Sequence, residues 1–169
     1  MKSMLTLPLI ALTIGFACFQ GCATYDATDL HTSVAMGNVR GAQALLADGA
    51  DPNAATFPQG RSPLQVAVRN GNYQMAKVLV DHGADVNAAD WNGNTPLHDA
   101  VRGNYCDIAR LLLDHGADAQ AKMYYVPPAT RPRKDVARVT PLRYCQQRGY
   151  ENMEAVLRAN GAERHAANW

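Results

Sequence analysis

Apolar residues recur along the chain with the spacing of amphipathic helices, in four units of similar length. In the third unit, Leu97 and Val101 are about one helical turn apart, and Ile108, Leu111 and Leu112 resume the pattern after a short break. A break containing glycine or asparagine falls at the same place in every unit, and each unit closes on a second glycine. Because these residues readily take the left-handed conformation that ends a helix, each unit is predicted to be helix, tight turn, helix.

The four units are in register with one another. The sequence DHGAD occurs at positions 81–85 and again at positions 114–118. A constant period of this kind is typical of solenoids, in which neighbouring units bury a continuous core. In each unit a leucine opens the first helix and a glycine closes the second helix, always at the same distance along the chain: Leu30 and Gly49, Leu64 and Gly83, Leu97 and Gly116, Leu142 and Gly161.

The second and third units read SPLQVAVRNGNYQMAKVLVDHGADVNAAD and NTPLHDAVRGNYCDIARLLLDHGADAQAK. They resemble the ankyrin repeat, with its T-P-L-H-x-A opening and its G-A-D-x-N ending. The resemblance covers about residues 28–163. It implies an all-α repeat fold, an ankyrin solenoid of four helix–turn–helix units with β-hairpin fingers. The expected divisions are units at about 28–56, 57–90, 91–138 and 139–163, a long finger at 122–138 and a C-terminal tail at 164–169.

The chain begins MKSMLTLPLIALTIGFACFQGCATYD, with one lysine ahead of an apolar run that is short for a membrane span. The run ends on a small residue before Cys22 and resembles the signal sequence of bacterial lipoproteins. This resemblance implies a signal peptide at 1–21, lipidation of Cys22 and a short linker at 22–27. Ala23 after the cysteine implies a place in the bacterial cell envelope, on the outer membrane facing the periplasm. Lipidation of Cys18 instead, ordinary cleavage and a retained anchor stay open as alternatives.

Composition narrows the classes of partner. The chain has 169 residues, 47% of them hydrophobic, so it can bury a core. Removing residues 1–21 leaves 15 basic and 15 acidic residues, and this neutral balance provides no general attraction to nucleic acid or to anionic lipid. We expect no nucleic-acid partner, because a lipoprotein would rarely meet nucleic acid, and we expect the lipid anchor to bring the protein to the membrane.

No residue pattern indicates catalysis. The sequence has no Walker loop, no H-E-x-x-H, no G-x-G-x-x-G and no G-x-S-x-G. His82 and His115 occupy the same repeat position, and stacked helices lie roughly 8–10 Å apart, too far for two imidazoles to share a zinc ion. His98, in TPLH, resembles the family histidine that hydrogen-bonds neighbouring backbone. We expect a non-catalytic protein with no metal site, no cofactor and no small-molecule substrate.

Two cysteines, Cys106 and Cys145, follow Cys22. An exported chain meets conditions in which disulfides persist, so one interpretation is a bond that joins the third unit to the fourth. The other interpretation is a pair of small core residues with inert thiols. Spacing alone does not choose between them, because a disulfide requires a specific geometry.

Partners of the ankyrin family bind along the concave face, which the finger tips and first helices form. Trp91 falls at a finger tip, and tryptophan is frequent among interface hot spots. Arg69 and Arg102 occupy the same position in successive units, so they should lie side by side and suit carboxylates of a partner. The alternatives are a tryptophan packed on the adjacent finger and arginines neutralised by nearby acids. The expected contacts are Trp91, Asn92, Asn94, Arg61, Arg69, Arg102, Tyr124, Tyr125 and Arg148, with Pro58, Gln59 and Gln147 nearby.

The third finger carries an insertion, because Thr140 lies farther from Thr95 than the period of the other units allows. The segment 122–138 reads KMYYVPPATRPRKDVAR, with five basic residues, one acid and three prolines. Long loops in small domains are usually functional or disordered. Two interpretations stay open for this segment, contact with the partner and a mobile spacer.

These observations lead to the hypothesis of a lipid-anchored protein–protein interaction module that binds a partner, acidic at the contact, through its concave face. The alternative is an immunity or protective inhibitor protein that neutralises an envelope-acting toxin or lipolytic enzyme. That alternative rests on location and on a small rigid groove. An enzyme is the least favoured class, because no catalytic residue set is found.

Overall fold

Each of the four apolar units forms one helix–turn–helix pair in the computed structural model, which describes residues 29–56, 59–125 and 137–162. This arrangement confirms the predicted all-α repeat fold. The elements are α1 (Leu30–Ala35), α2 (Val39–Ala47), α3 (Pro63–Arg69), α4 (Tyr73–Asp81), α5 (Pro96–Gly103), α6 (Cys106–Asp114), β1 (Met123–Tyr125), β2 (Ala137–Val139), α7 (Pro141–Arg148) and α8 (Glu151–Ala159). Outside the described residues lie the predicted signal peptide at 1–21, Cys22, the linker at 22–27, Pro58, most of the insertion (126–136) and the tail at 164–169.

The first helices of the second, third and fourth units begin at a proline that follows a serine or threonine. Proline is well placed at a helix start, since its missing N–H would have no partner there. In α3, Ser62 Oγ accepts a hydrogen bond from Gln65 N at 3.3 Å, and Gln65 Oε1 accepts one from Ser62 N at 3.0 Å. This reciprocal pair satisfies two backbone donors that the helix itself leaves free.

The two DHGAD segments end α4 and α6 in the same way. Gly83 and Gly116 follow the helices with φ of 84° and 85°, a conformation that favours glycine. His82 and His115 each place Nδ1 2.8 Å from the carbonyl oxygen four residues earlier. A carbonyl only accepts, so Nδ1 carries the proton and donates. Among the described residues there is no group of three or more histidine, cysteine, aspartate or glutamate side chains that could hold a metal ion.

The helix pairs stack in two layers, with α1, α3, α5 and α7 in one layer and α2, α4, α6 and α8 in the other. Ala67 and Ala100 are completely buried in the first layer, where their small side chains let neighbouring helices approach closely. None of the helices in the described ranges is long and apolar enough to cross a membrane. The largest fully buried apolar side chains are Leu64, Met75, Leu79, Leu97, Leu112, Met153 and Leu157.

Amide side chains join each turn to the helix end of the next unit. Asn53 Oδ1 accepts a hydrogen bond from Asp85 N at 2.7 Å, and Asn53 Nδ2 donates to Gly83 O at 3.2 Å. Asn87 makes the same two bonds one unit later, at 2.8 and 3.1 Å. Each DHGAD segment therefore offers a carbonyl and an N–H to the preceding unit. Asp85, like its counterparts in the neighbouring units, accepts the N–H two residues further on, as expected for a residue that orders the turn.

Three fingers connect the helix pairs. One isolated antiparallel bridge closes the first finger, and a hydrogen bond of 2.9 Å from Asp90 N to Asn94 O closes the second. In the third, β1 pairs antiparallel with β2, and Met123 lies opposite Val139. Both of these side chains are buried, at 2% and 1% exposure. The base of the long finger is therefore part of the hydrophobic core.

His98 is a buried residue of α5 that bonds the start of its own helix. Its Nδ1 accepts a hydrogen bond from Thr95 N at 3.2 Å and lies 2.9 Å from Thr95 Oγ1, so the neutral ring carries its proton on Nε2. Burial lowers the pKa of His98 to about 4, while the backbone of Val139 and Ala121 favours the charged ring to a smaller extent. The expected backbone-bonding role of this histidine is confirmed, and the fold requires it to be neutral.

The titration of His98 predicts a loss of stability in acid. The folded-state pKa of about 4 lies below the ordinary value of 6.5, so between these values the unfolded chain binds more protons. Stability therefore falls as the pH drops through that window. We expect the His98 contribution to the free energy of unfolding to fall by about 2 kcal/mol between about pH 7 and about pH 4.5.

His98→Gln is the matched variant, because Gln65 occupies the same position in the second unit and makes its own cap and a 2.6 Å hydrogen bond to Asn94 O. Urea unfolding at both pH values should show a smaller acid loss for His98→Gln than for the wild type. Equal losses in the two proteins would mean that His98 does not control this pH dependence.

Candidate protein-binding surface

Two arginines and one buried carboxylate meet where the first helices of the second and third units end. Arg69 Nη1 lies 3.4 Å from Asp99 Oδ1, and Arg102 Nη1 lies 2.8 Å from the same oxygen. Both arginine side chains are 39% exposed, whereas the Asp99 side chain is 1% exposed. The predicted side-by-side placement of the arginines is present in the structure, with a carboxylate beneath them.

Asp99 was not among the expected site residues. Burial raises the pKa of its carboxyl group, and the charges of Arg102, Arg69 and Arg61 act against that shift. Oδ2 of Asp99 is buried and has no hydrogen-bond partner within the described residues. The feature of the sequence that could have identified Asp99 is its position three residues before Arg102 on a predicted helix, a spacing at which side chains meet.

The two guanidinium groups are brought close together by their common oxygen. Both contact Asp99 Oδ1, so the two Nη1 atoms are no more than about 6 Å apart. At that distance two like charges repel by roughly 0.7 kcal/mol in water and by more near a protein surface. Attraction to Asp99 offsets this repulsion and keeps Arg69 and Arg102 convergent.

Arg102 is more strongly held than Arg69. Besides Asp99, Arg102 Nη2 donates to Asn94 Oδ1 at 3.0 Å and lies 3.8 Å from Met123 Sδ. It thereby connects α5 to the second finger and to the base of the third. Within the described residues, the hydrogen bond of Arg69 is the single 3.4 Å contact with Asp99. Arg69 is therefore the arginine with donors left for a partner.

The structure corrects the expectation that Asn94 contacts a partner. Its side chain is 8% exposed, and its Nδ2 donates to Asp90 Oδ2 at 2.9 Å. Asp90 is also buried, and its Oδ1 accepts hydrogen bonds from Asn92 N and Asn94 N, both at 2.9 Å. Asn94 therefore orders the finger turn and has no surface to offer to a partner. Asn92 remains exposed at the tip.

Trp91 combines the two interpretations that its sequence position left open. Its indole lies against Gly60, where an added Cβ would come within 2.5 Å of Nε1 and where φ is 65°. The residue is nevertheless 66% exposed. Gln59 O lies 3.5 Å from Trp91 N, and Gln59 Oε1 accepts a hydrogen bond of 2.7 Å from the half-buried Arg61. Trp91 thus joins two finger tips and still presents a large apolar surface.

The fourth unit carries an arginine–tyrosine pair in place of the arginine–aspartate contacts of the third unit. The guanidinium of Arg148 lies over the ring of Tyr144, 5.4 Å from its centroid. Tyr144 is buried and occupies the helix position that Asp99 has in the third unit. Gln147 is exposed beside it. The structure does not describe the side chains of the predicted contacts Tyr124 and Tyr125, which belong to β1.

Cys106 and Cys145 are free thiols in the structure. Cys145 is completely buried, and this burial raises the pKa of its thiol to about 12. A thiol with so high a pKa is a poor nucleophile at neutral pH. The disulfide interpretation therefore does not describe this structure, in which Cys145 is a small core residue.

The stacked helix pairs and their connecting fingers define a helical-repeat scaffold. It presents half-exposed arginines on its first helices and an exposed tryptophan at a finger tip. The family model described as ankyrin repeats (3 copies) matches residues 30–123, and the chain belongs to the ankyrin repeat family. No curated protein matches the chain. Ankyrin repeats are generally protein–protein interaction modules, and the family is typically non-catalytic.

The unequal bonding of the two arginines predicts unequal effects on stability. Arg102→Ala removes hydrogen bonds to Asp99 and Asn94 and leaves Asp99 poorly compensated, so it should reduce the free energy of unfolding by about 1–3 kcal/mol. Arg69→Ala removes one long hydrogen bond and should cost less than about 1 kcal/mol. Thermal unfolding of both variants tests this difference. A larger loss for Arg69→Ala would contradict the assignment of Arg102 as the structural arginine.

Proposed function

We propose that this protein is a lipid-anchored module of the bacterial envelope that binds another protein through the Trp–Arg surface, defined as Trp91 with Arg61, Arg69 and Arg102. The observations that carry this proposal are the exposed Trp91, which packs on the finger tip at Gly60 next to Arg61, and the two half-exposed arginines that a buried carboxylate holds together. Tryptophan and arginine are the residues most often found at interface hot spots. The non-catalytic scaffold of the family supports the same function.

Charge on the Trp–Arg surface favours an acidic contact on the partner. The acids of this region, Asp90 and Asp99, are 5% and 3% exposed, whereas Arg69 and Arg102 keep 39% of their side chains exposed. A partner therefore meets guanidinium groups and the indole before it meets a carboxylate. Guanidinium groups bind carboxylates with two parallel hydrogen bonds, which favours an acidic side chain next to an apolar one.

The contact residues can be tested by measuring affinity for the partner captured from envelope extract. Trp91→Ala removes the exposed apolar surface, and Arg69→Glu reverses a charge at the arginine that contributes least to the fold. Each substitution should weaken capture by about tenfold or more, the effect expected of an interface hot spot. The melting temperature should change little in either variant.

The matched control is Arg110→Glu, the same charge reversal on α6, where the Arg110 side chain is 62% exposed and its nearest acid is Asp107 at 4.0 Å. This variant should capture the partner as the wild type does. If Trp91→Ala and Arg69→Glu also capture it normally, the partner binds elsewhere and the surface assignment is wrong.

The anchor predicts a specific labelling pattern. A fatty-acid probe supplied to cells should label the wild type and the Cys18→Ser variant, because the proposed acceptor is the thiol of Cys22. Cys22→Ser should lose the label and leave the membrane fraction. Persistent labelling of Cys22→Ser, or its loss in Cys18→Ser, would rule out Cys22 as the lipidated residue.

A further inference from the structure

Asp99 is unusual among the residues that share its position in the four first helices. Thr32, Val66 and Tyr144 occupy that position in the other units, and none of them carries a charge at neutral pH. Burying a carboxylate is costly unless charges and hydrogen bonds compensate it fully. For Asp99 the hydrogen bond from Arg102 is short, at 2.8 Å, and the one from Arg69 is long, at 3.4 Å. Its Oδ2 has no partner in the described part of the chain. Stability alone therefore does not account for an aspartate at this position.

The effect of Asp99 on its neighbours provides a different reason. It holds the half-exposed Arg69 and Arg102 within reach of a single oxygen, although their like charges favour separation. Free arginine side chains lose conformational freedom when they bind, and that loss weakens binding. A pair of guanidinium groups that converges before the partner arrives has already lost much of that freedom. Arg69, whose side chain is 39% exposed, then keeps donors for a partner while one of its nitrogens contacts the buried carboxylate.

We propose that Asp99 is a positioning residue that holds Arg69 and Arg102 convergent, so that together they receive a carboxylate of the partner. This inference rests on the proposed function and adds a role for a residue that itself contacts no partner. It predicts that the buried charge of Asp99 has a measurable effect on binding. Removing Asp99 should weaken binding of an anion, although it also removes a negative charge.

The test is binding of a fluorescein-labelled peptide of alternating glutamate and glycine, measured by fluorescence anisotropy. If Asp99 acted only through its charge, Asp99→Asn would bind this anionic peptide more tightly, because repulsion is removed. Positioning predicts the opposite, a dissociation constant about tenfold higher, the equivalent of losing one charge-assisted hydrogen bond. The matched control is Asp107→Asn, which removes the same charge from an 85% exposed side chain on α6. It should bind equally or slightly more tightly.

A second measurement needs no ligand. Nitrogen-15 relaxation of the arginine Nε–H groups reports how ordered each side chain is. Arg69 should be ordered in the wild type and markedly more mobile in Asp99→Asn, whereas Arg102 should change less because Asn94 also holds it. Asp99→Val, which copies Val66 of the second unit, should reproduce both results. Equal mobility of Arg69 in wild type and variants would overturn the proposal.

The outcomes separate this proposal from the function on which it rests. If the wild type does not bind the acidic peptide, the acidic-partner part of the proposed function fails, and the mobility of Arg69 alone decides the role of Asp99. If the wild type binds and Asp99→Asn binds more tightly, positioning is refuted while binding stands. A melting temperature lowered by more than several degrees in both Asp99 variants would assign Asp99 to the fold and also refute positioning.

Discussion

No helix pair in this protein buries its apolar face by itself, and the packing of each pair against the next is the interaction on which the other features depend. A row of completely buried leucines, Leu64, Leu97 and Leu112 among them, lies between successive pairs. Burying such a side chain contributes roughly 2 kcal/mol, so the units stabilise one another. The repeat period follows from this packing, because the apolar face of each helix pair must be aligned with that of the neighbouring pair.

The same constraint explains where variation is tolerated. The insertion lies in a finger between helix pairs, and α7 and α8 still pack on α5 and α6 as the preceding pairs pack on one another. Its base is nevertheless anchored, because Met123 and Val139 are buried and Arg102 reaches Met123 from α5. An insertion placed within a helix would instead rotate the apolar face away from the core.

Charge at the Trp–Arg surface is arranged in two layers. Asp90 and Asp99 are buried beneath the surface. Asp90 orders the turn of the second finger, and Asp99 draws Arg69 and Arg102 together. The arginines and Trp91 lie above, where a partner can reach them. A chain with a formal net charge of only +1 therefore presents a locally cationic surface, because at this surface burial conceals the acids more completely than the bases.

The amino-acid sequence by itself determined the repeats, the helix boundaries and the pairing of Arg69 with Arg102, because these depend on local chemistry and on a constant spacing. The proline after a cap residue, the glycine after each second helix and the regular period of the units are all visible in the printed chain. Only the tertiary structure decided what each surface residue contacts. Asn94 faces inward to Asp90, and Asp99 receives Arg69 from the neighbouring unit. The contact of Asp99 with Arg69 depends on the rotation of one helix pair against the next, which no local pattern encodes, and the burial of Asn94 depends on how its finger turn folds onto Asp90.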